Sequence, residues 1–424
     1  MSSAEAIRLR VRQQNKRATA YTLVKDMKCI LWVLKVLGIL PIFKVVHAYK
    51  IALPKGRSYA TLYTSLMRLL DLIAILLYIY IVYSPFASGV IFTYGEMDNV
   101  TIAIQILLGI ISSAFVLWKS ARKSQNFIII INQLLAVDKE LQQHPHAPAP
   151  LENSCAPHDR YTWLLFVHTV TVCVVKWLSV QDCASSLYCV AMYFLYHQLH
   201  AIINSYVIFV ATMLHLLAVR FRYLNDFIKT YTVLKHNTTA DNVESALASF
   251  SADMLFFYRT HNNLLATFKK LNEFVHTALL AFIAYFFYTS TLSVYQFYLA
   301  AKLDDMNLRA IVWCFVFLFI HAPIAALLMR QSDAATKEAN ATSNAVARVY
   351  GRDTAQQRLI DKFLTKSIKQ DVQFTAYGFF VIDKSTLFKI VSAITAYLVI
   401  LIQFRQLKDA RAEAPADEVY KKAF

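Results

Sequence analysis

Glycine and proline are scarce in this chain, with 7 and 9 among 424 residues. So few turn-formers exclude a many-turned β-sandwich, and no glycine-rich loop is available to cradle a phosphate. The six cysteines, Cys29, Cys155, Cys173, Cys183, Cys189 and Cys314, show no paired spacing, so neither a metal site nor a disulfide framework is expected. HExxH and GxSxG are both absent, so nothing supports an enzyme and no cofactor is expected. Charged residues are also few, 17% against about 25% in soluble domains. What fills the chain instead is apolar: 57% of residues are hydrophobic, including 29 Phe, 24 Tyr and 5 Trp. A soluble core cannot absorb that excess, and the composition implies helices in lipid. One feature sits oddly with this, namely 43 Lys+Arg against 27 Asp+Glu and a net charge of +16. In a soluble protein such a charge would suggest nucleic acid.

A hydrocarbon core about 30 Å thick needs about 20 mostly apolar helical residues to cross it. Seven stretches qualify: Leu62 to Tyr83, Val100 to Trp118, Tyr161 to Val180, Leu187 to Val219, Phe274 to Ala300, Leu308 to Met329 and Thr386 to Phe404. An eighth, Cys29 to Val46, is cut by Lys35, Pro41 and Lys44 and reads as an amphipathic or re-entrant helix. Lys35 also argues against a cleaved leader. Basic residues number 12 in 1–61, 5 in 119–160, 7 in 220–273 and 9 in 330–385, whereas 84–99 and 181–186 carry none and 301–307 one. Cytoplasmic segments carry the excess of Lys and Arg, so the N terminus is expected inside and the C terminus outside. By this count the +16 is the charge of the cytoplasmic face, which leaves no case for nucleic acid.

Several tempting features carry little. Residues 144–159 hold His144, His146, Cys155 and His158, but four prolines there favour a linker and the spacing matches no zinc ligand set. Asp159-Arg160-Tyr161 spells a tripeptide of G-protein-coupled receptors, yet it precedes the third span instead of following it, and no NPxxY is present. Asn99, Asn237 and Asn340 fit the glycosylation pattern but are expected to be unused. Leu359, Ile360, Phe363, Leu364, Ile368 and Val372 form an apolar helical stripe, read as a subunit contact. Phe250, Leu255, Phe256, Leu264, Leu265, Phe268 and Leu271 suggest helices continuing spans four and five below the membrane. Arg68 and Asp71, three positions apart in the first span, are expected to pair along one helix face.

The last span is the most specific stretch. Phe374-Thr-Ala-Tyr-Gly378-Phe-Phe-Val-Ile-Asp383 leads into Ala396-Tyr397-Leu-Val-Ile-Leu-Ile-Gln403-Phe404. This resembles insect gustatory receptors, whose seventh helix carries Thr-Tyr, five hydrophobic residues, then Gln-Phe. Eight of the nine positions match in kind, Ala396 replacing the usual Thr. Leu37-Gly38-Ile39-Leu40-Pro41 also looks like the family. The resemblance implies an all-α membrane protein of seven transmembrane helices. It also implies a tetrameric ligand-gated cation channel, related to insect odorant receptors, with the seventh helix of each subunit lining a central pore. The expected partners are a small-molecule tastant, permeating cations and membrane lipid, in a homotetramer or a heteromer with related receptors. The expected location is the plasma membrane of sensory neurons. A G-protein-coupled receptor or a secondary transporter is the alternative.

The corresponding layout is a cytoplasmic segment over 1–61, spans one to four over 62–219 and cytoplasmic helical extensions over 220–273. Spans five and six over 274–329, a cytoplasmic anchor over 330–385, the pore helix over 386–404 and an outer tail over 405–424 complete it. Ala393, Ala396, Ile400 and Gln403 recur at helical spacing on one face. Rings of Ile400 can close a pore by dewetting, and Gln403 amides can replace ion hydration. By matching motif positions, Ile400, Gln403 and Phe404 are the gate residues. The resemblance places the tastant pocket in the outer half of each bundle. That half receives Lys176, Trp177, Tyr188, Tyr193, Tyr196, Tyr288, Thr291, Tyr295, Gln296, Trp313 and Phe317. Aromatic walls with a few hydrogen-bonding groups suit a small polar or amphipathic ligand. Sugar-sensing members usually carry Glu after the signature Tyr, whereas Leu398 stands here.

Overall fold

The structure, a computed structural model, describes residues 27–40, 44–47, 50–52, 59–83, 96–144, 187–236, 243–302, 308–349, 354–368 and 372–413, with a few positions between 166 and 174. The third predicted span therefore lies almost wholly outside the described residues. The helices are α1 (Lys28–Val36), α2 (Tyr59–Tyr83), α3 (Glu96–Arg122), α4 (Ser124–Gln143), α5 (Leu187–His236), α6 (Val243–Lys302), α7 (Leu308–Ala347), α8 (Thr354–Ile368) and α9 (Lys384–Glu413). Two short antiparallel hairpins accompany them, β1 (Lys44–His47) with β2 (Lys50–Ala52) and β3 (Thr375–Ala376) with β4 (Phe380–Val381). Among the described residues five helices are long and apolar enough to cross a membrane, over Leu62–Tyr80, Ala103–Arg122, Leu195–Tyr231, Phe250–Leu299 and Lys384–Leu407.

Three helices are far longer than a bilayer needs. At 1.5 Å per residue, the 50 residues of α5 reach about 75 Å and the 60 of α6 about 90 Å. Their buried faces continue without a break, from Ile202 to Tyr231 on α5 and from Phe250 to Phe286 on α6. Side-chain pairs fix how α5 and α7 lie. His321 Nδ1 meets Asn204 Oδ1 at 3.2 Å, and His215 Nδ1 meets Gln331 Oε1 at 3.2 Å. Arg222 donates to Glu338 at 2.8 Å, and Thr342 donates to Asn225 at 2.7 Å. Each partner lies 116 or 117 residues after its mate, so the two helices run parallel in one register.

The N-terminal segment departs from the expected helix over 29–46. Helix α1 stops at Val36, and Gly38 adopts φ +66°. A Cβ there would stand 3.0 Å from Met67 Cβ and 3.2 Å from Arg68 N, so only glycine lets this turn lie against α2. From Lys44 the chain is a strand; Asn132 of α4 clamps the hairpin by accepting from Ile51 N at 2.8 Å and donating to Ile51 O at 3.0 Å.

Two further expectations are corrected. Arg68 and Asp71 do not pair with each other. Arg68 donates to the carbonyls of Gly38 at 3.0 Å and Ser120 at 3.1 Å, while Asp71 accepts from Gln198 at 3.3 Å. Helix C-terminal carbonyls draw the guanidinium away. The described part of the stripe at 359–372 is covered within its own chain: Ile360, Phe363 and Val372 are buried, and Phe363 packs on Tyr258 and His261 of α6. Because α6 begins as far back as Val243 it reaches this stripe, and Ile360, Phe363 and Val372 are covered without a second copy.

Candidate functional site

A small cavity opens among α2, α3, α5 and α6, lined by Tyr78, Gln105, Ile106, Gly109, Tyr196, Leu199, His200, Ile203 and Tyr285. Its walls follow from helical spacing: Gln105, Ile106 and Gly109 share one face of α3, and Tyr196, Leu199, His200 and Ile203 share one face of α5. Gly109, one of only seven glycines, sits mid-helix, where glycine costs about 1 kcal/mol relative to alanine. A Cβ at this position would stand in ordinary contact, 3.4 Å from Tyr285 Cε2, so alanine fits and any larger side chain would meet that ring.

Polar groups in the cavity are few and mutually engaged. The Tyr285 hydroxyl hydrogen-bonds the His200 ring at 3.1 Å, and Gln105 Nε2 donates to the Tyr196 hydroxyl at 3.4 Å. The Tyr196 ring stands edge-on to His200, centroids 4.2 Å apart, and Tyr78 is tilted against Tyr196 at 6.4 Å. His321 of α7 backs His200 at 5.1 Å while held by Asn204. The result is an aromatic box whose polar groups are one amide, one imidazole and the phenols of its walls. Rings of this kind offer packing faces to a small molecule, and the amide and imidazole offer exchangeable hydrogen bonds.

Of the residues expected in a pocket whose side chains are described, only Tyr196 lines this cavity. Tyr288 is half-buried further along α6; Thr291 is buried and its hydroxyl donates to the Phe287 carbonyl at 2.9 Å; Tyr295 is buried, and Gln296 is exposed. Tyr188, Tyr193, Trp313 and Phe317 lie on helices, but their side chains, like all of Lys176 and Trp177, fall outside the described residues. Sequence reasoning misses Tyr78, Gln105, Gly109, His200 and Tyr285. A mid-helix glycine and polar residues inside apolar spans are the signals that mark such positions.

The other notable surface is α9. The hairpin β3–β4 aims it. Tyr377 and Gly378 both have positive φ, 54° and 79°, and Phe379 N donates to the Ala376 carbonyl at 3.0 Å, which closes a tight turn. Asp383 then caps the helix, accepting from the Thr386 backbone N–H at 2.8 Å and from the Ser385 hydroxyl at 2.8 Å. Burial alone raises the Asp383 carboxyl, but the hydrogen bonds from Ser385 and Thr386 overcome it and hold the group below the usual carboxylate range. Beyond the cap, α9 is apolar yet hardly covered: Val391, Tyr397, Val399, Ile400, Phe404 and Leu407 are all exposed, as are Ala396 and Gln403, and Ala393 is half-exposed. Its contacts are with α6 and α7, among them Phe287 edge-on to Tyr397 at 5.6 Å.

Residues 27–408 match the family described as 7tm chemosensory receptor. The chain belongs to that family. Gustatory and pheromone receptor 32a of Drosophila melanogaster is 35% identical to this chemosensory receptor over 418 residues, covering 93% of the chain and 88% of the relative. Gustatory receptor 68a of Drosophila melanogaster is 65% identical over a shorter stretch of 81 residues, 19% of the chain and 21% of the relative. Among solved structures, the insect olfactory receptor OR5 from Machilis hrabei, also solved in complex with eugenol, superposes with a TM-score of 0.63 at 13% identity. The match covers 91% of this chain and 99% of that one. The receptor is thus a helical, multi-pass membrane protein with the insect olfactory receptor fold, and it is a receptor of a non-enzymatic family.

Proposed function

We propose that this receptor is a tastant-gated, nonselective cation channel of the sensory-neuron plasma membrane, built as a tetramer around four copies of α9. The observation that carries this reading is the coverage of α9. An apolar helix with aliphatic, aromatic and amide side chains exposed, Ile400 at 43%, needs lipid on one side and either lipid or other subunits on the other. A Gln403 amide one turn from Ile400 suits a water-filled axis better than hydrocarbon. In this reading Ile400 and Phe404 close the pore, Gln403 contacts the ion, and Ala393 and Ala396 permit close approach along the same face. The N terminus is cytoplasmic and the C terminus extracellular; spans four and six then run the same way, as the parallel register of α5 and α7 requires.

The Tyr78–Gln105–Tyr196–His200–Tyr285 cavity is the ligand site in this proposal. With the predicted orientation it lies in the outer half of the bundle, apart from the pore axis. The space it encloses, about 10 Å³, is that of one water, so a ligand enters by displacing side chains; the aromatic walls suit a small amphipathic compound, in keeping with the eugenol bound by the Machilis receptor and the taste and pheromone compounds implied by the relatives' names. The test is patch recording from cells expressing the receptor, without added G protein, across a panel of such compounds. Ligand-evoked unitary cation currents are expected. Stoichiometric uptake without unitary currents, or signalling that depends on a G protein and carries no current, would overturn the channel.

A further inference from the structure

We infer that the junction of α3 and α4 is a binding site for the phosphate-bearing headgroup of an anionic phospholipid in the cytoplasmic leaflet. The apolar span of α3 ends at Arg122. Trp118, 49% exposed, stands there with Lys119 Nζ 5.8 Å and Arg122 Cζ 5.8 Å from its ring centre. Lys123 follows at the break between the helices, its backbone N–H donating to the Lys119 carbonyl at 2.9 Å. The stretch 118–123 thus carries three cations and no acid. None of the three takes part in an ion pair among the described residues, whereas Arg222, Lys229 and Lys337, elsewhere on the same side, each hold a carboxylate.

Lys119 makes the case more specific than a basic surface. It is only 7% exposed, so its stem is folded into the junction, with the ammonium beside the Trp118 ring. Arg68 donates to the Ser120 carbonyl at 3.1 Å, so that carbonyl of the last turn of α3 is already engaged. An indole at the interface and three closely set cations beside it match a lipid whose acyl chains lie along α3 and whose headgroup bears several phosphate charges. A phosphoinositide answers that description better than a singly charged headgroup.

The assignment to the inner leaflet rests on the proposed orientation, but headgroup binding does not, so the two are tested apart. The full-length receptor in detergent is titrated with fluorescent phosphatidylinositol bisphosphate in phosphatidylcholine mixed micelles. Lys119→Gln/Arg122→Gln/Lys123→Gln should weaken binding on the order of a hundredfold, since each basic group at an anionic surface contributes about fivefold. Arg222→Gln/Lys229→Gln/Lys337→Gln, which removes the same charge elsewhere, should leave it unchanged, and Lys119→Arg/Lys123→Arg should retain it. Equal loss in both triple variants would reduce the effect to net charge and overturn the site, as would undiminished binding by the first. Soluble inositol trisphosphate binding as tightly as the lipid would overturn the membrane source. Lipid-free melting curves identify any variant that fails to fold, and the Arg-for-Lys variant then decides.

Discussion

Arg220→Met should be the most damaging single substitution in the helical base of this receptor. Arg220 is 1% exposed and Asp138 4%, so both ions are out of water. The guanidinium grips the carboxylate with two parallel bonds, Nε to Oδ1 at 2.7 Å and Nη2 to Oδ2 at 2.6 Å, and spends Nη1 on the Leu216 carbonyl at 2.8 Å. Met fills most of the volume but leaves a buried carboxylate with its cation gone. Truncating one member of such a pair costs about 3–5 kcal/mol. The loss cannot grow without limit, because a lone carboxylate sheds its charge by taking up a proton. At neutral pH that ceiling is about 4 kcal/mol, three decades of protonation at 1.36 kcal/mol each. Two consequences follow for melting curves of the detergent-solubilised receptor. Arg220→Met should lower the midpoint by several degrees at neutral pH, and by less in mildly acidic buffer. Arg220→Met/Asp138→Leu should recover most of the loss, because the buried charge is then absent. A double variant no more stable than the single one would refute the reasoning, since the damage would then come from packing and not from charge.

The remaining predictions concern the cavity and α9. Gly109→Val adds two methyls beyond a Cβ that would itself stand 3.4 Å from the Tyr285 ring; surface expression should persist while sensitivity to the activating compound falls at least tenfold, about 1.4 kcal/mol of binding. Gln403→Ala should change unitary conductance or ion selectivity, and unaltered single-channel behaviour would remove Gln403 from the pore. For Phe287→Leu and Tyr397→Leu, half-activating concentrations measured singly and together should be non-additive by about 0.5 kcal/mol or more, the range seen for contacting aromatic pairs. Asp383 has a depressed carboxyl, so its contribution to stability is complete above the ordinary carboxylate range and is lost as pH falls through its lower folded value. Asp383→Ala should cost about 1 kcal/mol, whereas Asp383→Asn should keep the cap but flatten the acid limb of the melting-temperature profile.

Hydropathy and charge made the apolar helices legible, because each is a local property of 20 or so residues, and the last span announced itself through a spaced motif. Ends and partners were less legible. Nothing in Lys28–Val46 alone says that Gly38 must pack against Met67, yet that contact ends the helix. Arg68 and Asp71 carry helical pairing distance, but the choice between each other and the carbonyls or amides of the α1 turn, α3 and α5 is tertiary. The pocket shows the same limit. Aromatics at the outer ends of spans point to Tyr196 but not to Tyr78, Gln105, His200 and Tyr285, which sit where four helices converge. Spans give depth along one helix, whereas a cavity depends on rotation about several. Gly109 is overlooked for the same reason, since only the neighbouring Tyr285 ring shows what its missing side chain leaves room for.

The two ends of the proposed mechanism meet on one turn of α6. Tyr285 faces the cavity and hydrogen-bonds His200. Phe287, two residues on and so rotated about 200° around the helix, packs edge-on against Tyr397, the signature tyrosine of α9. A ligand that displaces the Tyr285 hydroxyl from His200 acts on a helix whose opposite side touches the gate helix, one turn before Ile400. In the proposed mechanism, packing along α6 would carry such a shift over one helix diameter without a longer relay. The thin coverage of α9 matters here as well: a helix buried on all sides by its own subunit would resist motion, whereas one held mainly by α6 and α7 can follow them. Spatial adjacency alone does not establish coupling. The Phe287–Tyr397 cycle supplies that measurement: additive effects would leave the pocket and the pore as neighbours without communication through this contact.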